Sequence, residues 1–306
     1  MRIASICRSY GNGGGMENVV HDRAEALRAL GHEVHIISAP DGLYSDAFAA
    51  QCVEGCDRVK PDVICLDSFD GARSWWVERK ERVALTLHGT PWSQFFTKWN
   101  LWMHAGRREP GASYSNLRRM CKIIQQADVV IAISHYEQGL LQDLHGVPDA
   151  KCVYNPIAPY FFDTPTVPVP ADGYFLCVGN HDVRGFDVAA KAAARAGVPF
   201  RVAKGVSRED MVAVYDGCRA LVLPTVRPAG YDLTVAEAAA RGRPVIVSGV
   251  GAYRLDGVPG TCYVPMRDVG AVAEAMGIVG RVHMAPVYAS RHKPETHARA
   301  WVEAVT

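Results

Sequence analysis

The 306-residue chain has no apolar run close to the ~20 residues that a membrane-crossing helix needs. It also has almost no net charge. Its 33 Lys+Arg against 32 Asp+Glu leave +1, so no global field drives the whole molecule onto nucleic acid or an anionic membrane; only a local patch could. Low-complexity tracts and short internal repeats are absent. Hydrophobic residues at 49% and charged residues at 21% exclude a disordered, collagen-like or coiled-coil chain. The apolar start Met1–Cys7 stops at Arg8, ahead of the run Gly11–Gly15. It is too short for a signal-peptide core and reads as a first β-strand. Zinc spacing is missing too: Cys52 and Cys56 form a lone C-x3-C without a second pair or matched histidines. The nine cysteines are scattered from Cys7 to Cys262, and Cys7, Cys65 and Cys177 fall inside strand-like runs as small hydrophobes. A reducing cytoplasm is the expected compartment.

At roughly 150 residues per domain the length suits two domains. Short β-branched runs alternate with helical stretches. Strands are expected at 3–7, 33–38, 62–66, 82–87 and 128–133, with a helix over 16–30 carrying Val19, Val20, Ala24, Leu27 and Leu30 at helical spacing. The alternation breaks between Asn155 and Asp172, where Pro156, Pro159, Pro165, Pro168 and Pro170 forbid helix and central strand. It resumes with strands at 174–178, 200–203, 220–223 and 244–247 and helices at 184–195, 208–216 and 234–241. The expected fold is α/β: an N-terminal Rossmann-like domain over 1–160, a proline-rich linker at 161–172, and a second doubly wound domain over 173–293. A final helix over 294–306 would pack back on the first domain. Two such sheets facing a central cleft line it with strand C-termini and helix N-termini, where ligands bind.

Three segments carry candidate chemistry. The loop Gly11-Asn12-Gly13-Gly14-Gly15 joins the first strand to the first helix, where backbone N–H groups can approach an anion. It lacks the third glycine of the dinucleotide fingerprint, replaced by Met16, and no Walker A lysine follows. His88, in Leu87-His88-Gly89, ends a strand and can hydrogen-bond a ligand hydroxyl or move a proton near neutral pH. Thr234-x-x-Glu237 opens a helix; the pattern reads either as a capping box or as a carboxylate facing the cleft to accept ribose hydroxyls.

These segments together resemble the retaining glycosyltransferases of family 4, which have the GT-B architecture. The resemblance runs from about Gly13 to Arg267. It rests on Gly13, Gly14 and Gly15, on Leu30-Gly31-His32-Glu33-Val34, on His88-Gly89, on 127–134, on Asn155-Pro156, on 178–185 and on the helix of Glu237. It implies transfer of a sugar from a nucleotide-diphosphate donor to an acceptor hydroxyl with retention. The departing phosphate oxygen would take the acceptor proton, and no metal or cofactor would be needed; no Asp-x-Asp pair is placed to hold a metal. It further implies that His88, Arg184 and Glu237 serve catalysis. Gly13, Gly14, Gly15, Asn180, Lys204, Tyr231, Asp232, Leu233 and Thr234 would bind the donor, mainly on the second domain. The chain departs from the family pattern at four positions. Asn180 stands for the family's arginine, with Arg184 for its lysine. Ala229 stands where the first of two glutamates belongs, and Asp232 replaces a glycine, where it is expected to take over part of the lost sugar contact. A nucleotide-sugar-binding subunit without turnover and a nucleotide-sugar epimerase of the same architecture are the alternatives.

On the acceptor side Trp92, Phe95, Phe96, Trp99, Trp102 and Met103 share one helical face, close to Lys98, Arg107, Arg108, Arg118, Arg119 and Lys122. This is either a packed helix with a solvated basic rim or an acceptor surface centred on Trp92, Trp99, Arg107 and Arg108. A lipid-linked glycan at a membrane surface, a nucleic acid base or an aromatic small molecule would each fit it, with peripheral membrane contact through 92–122.

Overall fold

The computed structural model describes residues 1–7, 10, 14–39, 46–67, 75–89, 114–179, 184–225, 232–257, 260–279 and 286–306. They form two compact units. The first joins Met1–Pro156 to Pro294–Thr306, and the second is Ile157–Lys293.

The first unit holds strands β1 (Arg2–Cys7), β2 (Glu33–Ser38), β3 (Val63–Asp67), β4 (Arg82–Leu87), β5 (Val129–Ala132) and β6 (Lys151–Cys152). All pair in parallel, in the order β2-β1-β3-β4-β5-β6. Its helices include α1 (Gly15–Ala29), α2 (Asp46–Val59), α3 (Tyr114–Ile124) and α4 (His135–Leu144). The strands are continuously apolar because both faces are covered. Alternate side chains go to opposite cores. Ala4, Ile6, Ile64, Leu66 and Leu85 meet Phe48, Cys52 and Cys56 of α2. Ile3, Val63, Cys65, Ala84 and Ile131 meet Ala24 and Leu27 of α1 and Trp301 and Val305 of the C-terminal helix (Pro294–Val305). That helix is also tied by His297, whose Nδ1–H donates to the Tyr154 carbonyl at 2.7 Å.

The second unit holds α5 (Tyr160–Asp163), β7 (Tyr174–Val178), α6 (Phe186–Ala196), β8 (Phe200–Ala203), α7 (Met211–Asp216), β9 (Cys218–Leu223), α8 (Leu233–Ala240), β10 (Val245–Ser248), α9 (Ala252–Asp256), β11 (Thr261–Val264) and α10 (Val269–Val279). Its parallel sheet runs β11-β10-β9-β7-β8. Phe175, Ala220, Val222 and Ile246 pack on Val188 and Ala192 of α6 and on Val272 and Met276 of α10.

The proline-rich stretch is fastened to the second unit. Phe161 is buried, edge-on to the Tyr215 ring. Extended proline-containing chain offers carbonyls but few N–H donors. Buried arginines supply them: Arg241 donates to the carbonyls of Phe161, Thr164 and Pro165 at 3.3, 2.6 and 2.7 Å, and Arg243 to that of Val167 at 2.8 Å. Asp216 balances Arg241 through two bonds of 2.9 and 2.8 Å.

All nine cysteines are free. Burial pushes the thiols of Cys7, Cys52, Cys65, Cys177 and Cys218 up to about 12 and that of Cys56 to about 11. The thiolate is the reactive form. A thiol reagent at pH 8 is therefore expected to modify only the partly exposed Cys121, Cys152 and Cys262 in the native protein, and all nine after unfolding in guanidinium. Fast native labelling at any of the other six would contradict the packing.

Among the described residues no helix is long and apolar enough to cross a membrane, and no group of three His, Cys, Asp or Glu is placed to hold a metal.

Candidate functional site

Each sheet has a switch point, where successive connections leave in opposite directions and strand C-termini open a crevice. In the first unit this lies between β1 and β3. α1 begins there, capped by Gly14, whose N–H donates to the Glu17 carboxylate at 2.8 Å. Asp67 ends β3 and is buried. Arg23, reaching in from the core face of α1, binds it bidentately, with Nη1–Oδ1 at 2.8 Å and a close Nη2–Oδ2 contact. Ser5 donates to the same carboxylate at 3.3 Å and accepts from Arg23 at 3.1 Å. The Trp301 ring covers the Arg23 guanidinium at 5.9 Å. Burial by itself would raise the Asp67 carboxyl and lower the Arg23 guanidinium. Their mutual attraction prevails, holding Asp67 far below the usual carboxylate range and Arg23 above its own.

His88 follows β4 and completes this cluster. Its Nε2 lies 3.3 Å from Asp67 Oδ1, and its Nδ1 lies 3.4 Å from the Asn155 amide nitrogen. A carboxylate needs a donor and an amide N–H needs an acceptor. The pairing selects the tautomer with the proton on Nε2.

In the second unit the switch point lies between β7 and β9. Arg184 crosses it: Nη1 donates to the Val178 carbonyl at 3.2 Å and to Thr234 Oγ1 at 3.3 Å, and Nη2 pairs with Asp232 Oδ1 at 3.1 Å. The Asp232 charge raises the guanidinium further, against the opposing effect of burial. Two glycines make room. A Cβ on Gly179, at φ +123°, would lie 2.8 Å from Arg184 Cδ; one on Gly185, at φ +75°, would lie 2.2 Å from the Pro224 carbonyl oxygen. Tyr253, fully buried, donates a close hydrogen bond to Asp232 Oδ2. Glu237 is buried and accepts from the Tyr215 hydroxyl at 2.7 Å.

Residues 38–159 match the model described as "Glycosyltransferase Family 4", and residues 169–279 the model described as "Glycosyl transferases group 1". The chain belongs to glycosyltransferase family 4. Its fold is GT-B. This glycosyltransferase is similar to sucrose-phosphate synthase from Thermosynechococcus elongatus, at 17% identity and TM-score 0.70, covering 99% of this chain and 94% of that one. It is also similar to Anabaena HepE, solved with UDP and glucose, at 14% identity and TM-score 0.70, covering 98% of each chain. AviGT4, of avilamycin A biosynthesis, gives 16% identity and TM-score 0.65 over 99% and 96%. No curated protein sequence matches the chain.

The Thr234-x-x-Glu237 pattern of the glycosyltransferase is not a capping box. α8 starts one residue earlier, at Leu233, with extended Asp232 as its N-cap. Thr234 therefore lies inside the first turn, its hydroxyl turned to Arg184, and Glu237 lies beyond that turn, held by Tyr215. Arg184, Asp232, Leu233 and Thr234 come together. Lys204, at the end of β8, stacks its Nζ 5.1 Å from the Phe186 ring. Gly14 and Gly15 open α1, while Gly13, Asn180, Ala229, Tyr231, Trp92, Trp99, Arg107 and Arg108 lie outside the described residues. Five functional candidates were missed by sequence reasoning: Arg23, Asp67, Asn155, Tyr215 and Tyr253. Arg23 carried a signal, a charge three and four residues from Val20 and Val19 on the apolar face of α1; Asp67 ended an otherwise apolar strand run.

Proposed function

We propose that this glycosyltransferase moves a sugar from a nucleoside-diphosphate donor to an acceptor hydroxyl with retention of anomeric configuration and without a metal. The observation that carries the reading is the Arg184 guanidinium, seated by Gly179 at the switch point of the second sheet beside the start of α8. A cation and first-turn amides placed together suit a diphosphate. They would stabilise the charge that grows on the leaving group as the glycosidic bond breaks. Glu237, further along the same helix, supplies a carboxylate for nucleotide ribose hydroxyls. His88, its ring fixed by Asp67 and Asn155, is the first unit's candidate for contact with the sugar. The departing phosphate oxygen takes the acceptor proton. UDP is the first nucleotide to try, since the HepE structure holds it. A lipid-linked glycan, a nucleic acid base or an aromatic small molecule are the acceptor classes for the 92–122 segment.

A second reading, binding without turnover, draws on the Arg184 charge being paired with Asp232 and on Ala229 standing for a carboxylate. One experiment separates them. Thermal midpoints are measured with UDP, GDP, ADP and dTDP, since any ligand that binds the native state raises the midpoint. The stabilising nucleotide's sugar conjugates are then incubated with the protein, and released nucleotide is counted. A midpoint rise that Arg184→Ala abolishes, with sugar transfer or slow hydrolysis, supports the transferase. A rise without nucleotide release supports the binding subunit. No rise with any nucleotide overturns both.

A further inference from the structure

We propose that Asp232 competes with the donor's diphosphate for the Arg184 guanidinium, and so sets how tightly nucleotide is held and how fast product nucleotide leaves. This rests on the donor-site reading above and concerns the regulation of that site.

Asp232 is the N-cap residue of α8, a position where an aspartate ordinarily turns its side chain onto its own helix. Here it makes no side-chain cap hydrogen bond. Its carboxylate faces outward from the helix start: Oδ1 takes Arg184 Nη2 at 3.1 Å, and Oδ2 takes the Tyr253 hydroxyl. Tyr253 is fully buried, and its carbonyl in turn accepts from the Tyr263 hydroxyl at 2.7 Å, so the carboxylate is built in place from behind. On the other side Arg184 is pinned by Val178 and Thr234 through Nη1 and by the shape of Gly179. The ion pair is thus set by groups on β7, α8 and α9. The side chains of Arg184 and Asp232 keep 19% and 13% exposure, enough to meet a ligand at the sheet edge.

A guanidinium fork recognises a carboxylate and a phosphate through the same N–H donors. With Nη1 committed to Val178 and Thr234, the Nη2 edge is the one Asp232 holds. A diphosphate bound there either displaces the carboxylate or lies beside it against like-charge repulsion, and both outcomes lower affinity. The same opposition favours release of the nucleoside diphosphate after transfer, when its charge is greatest. Asp232 acts here as a positioning and release residue rather than a sugar reader.

The test compares wild type, Asp232→Asn, Arg184→Ala and the double variant by calorimetric titration. The probes are UDP (or whichever of GDP, ADP and dTDP stabilises the wild type) and the matching uncharged nucleoside. Asparagine keeps the shape and the oxygen that Tyr253 needs. Asp232→Asn is expected to bind the nucleoside diphosphate about tenfold more tightly, a gain of about 1.4 kcal/mol. Nucleoside affinity should stay unchanged, and product inhibition by the diphosphate should grow in step. Equal or weaker diphosphate binding by Asp232→Asn, while Arg184→Ala weakens it, overturns this proposal and leaves the donor-site reading standing. Unchanged binding by Arg184→Ala overturns the donor-site reading itself, and the proposal with it. Should Asp232→Asn fold poorly by its thermal midpoint, Asp232→Ser carries the same comparison.

Discussion

Asp67→Ala is expected to lower folding stability by about 3–5 kcal/mol, because it leaves the Arg23 guanidinium buried without its counter-charge. Arg23 and Asp67 are each 1% exposed, so water cannot take the place of the missing partner. Urea unfolding checks this: the midpoint should fall while the slope stays near the wild-type value. The double replacement Arg23→Met with Asp67→Leu removes both charges and fills the space. It is expected to recover most of the loss, since a buried pair is seldom worth more than well-packed apolar groups. Catalysis should not recover with it, because His88 then lacks the acceptor for its Nε2–H. A double variant as unstable as Asp67→Ala would show that the pair itself, rather than the orphaned charge, carries the energy.

The same pair sets an acid limit. In the unfolded chain the Asp67 carboxyl titrates near its ordinary value of about 4. In the fold, burial opposes ionisation but the Arg23 guanidinium and the bonds from His88 and Arg23 outweigh it, and the proton leaves at much lower pH. The stability this provides is complete above about pH 4 and is lost as pH falls toward the folded value. Wild-type stability should therefore drop steeply below pH 4. The charge-free double variant should show a shallower decline over that range.

Most of the architecture was legible because it depends on periodicity. Buried parallel strands such as Val63–Asp67 are unbroken apolar runs, and α1 repeats Val20, Ala24 and Leu27 at helical spacing. The two-residue β6 and the half-exposed β11 carry too little of that signal. The proline stretch was legible as irregular but not as anchored, because its fastening comes from Arg241 and Arg243, seventy-odd residues downstream. The site divides in the same way. Residues that a motif names, such as His88, Arg184 and Glu237, can be found along the chain. Those that orient them cannot: Asp67, Asn155, Tyr215 and Tyr253 come from other elements, and only packing brings them within reach. The helix start illustrates the limit, since Thr234-x-x-Glu237 satisfies a capping pattern while the backbone places the cap on Asp232.

Glu237→Gln is expected to reduce kcat/KM for the nucleotide-sugar donor by about 100-fold, close to 2.7 kcal/mol, while moving the thermal midpoint by only a few degrees. Glutamine keeps the volume and one acceptor for the Tyr215 hydroxyl but loses the charge and the second acceptor oxygen that ribose hydroxyls would use. Burial first, and then Glu237 itself, holds the Tyr215 hydroxyl well above its ordinary value, so this tyrosine stays a donor across the working range and keeps Oε2 oriented. Tyr215→Phe should accordingly cost about 1 kcal/mol of stability and a smaller, roughly fivefold, part of the activity, by loosening the carboxylate rather than removing it. The two variants differ in a way that a purely architectural role cannot reproduce. If Glu237 served only to satisfy a buried tyrosine, both substitutions would lower the midpoint alike and neither would change donor KM. A loss confined to stability would thus remove Glu237 from the donor site, whereas a raised donor KM in Glu237→Gln with a near-native midpoint places its carboxylate against the nucleotide.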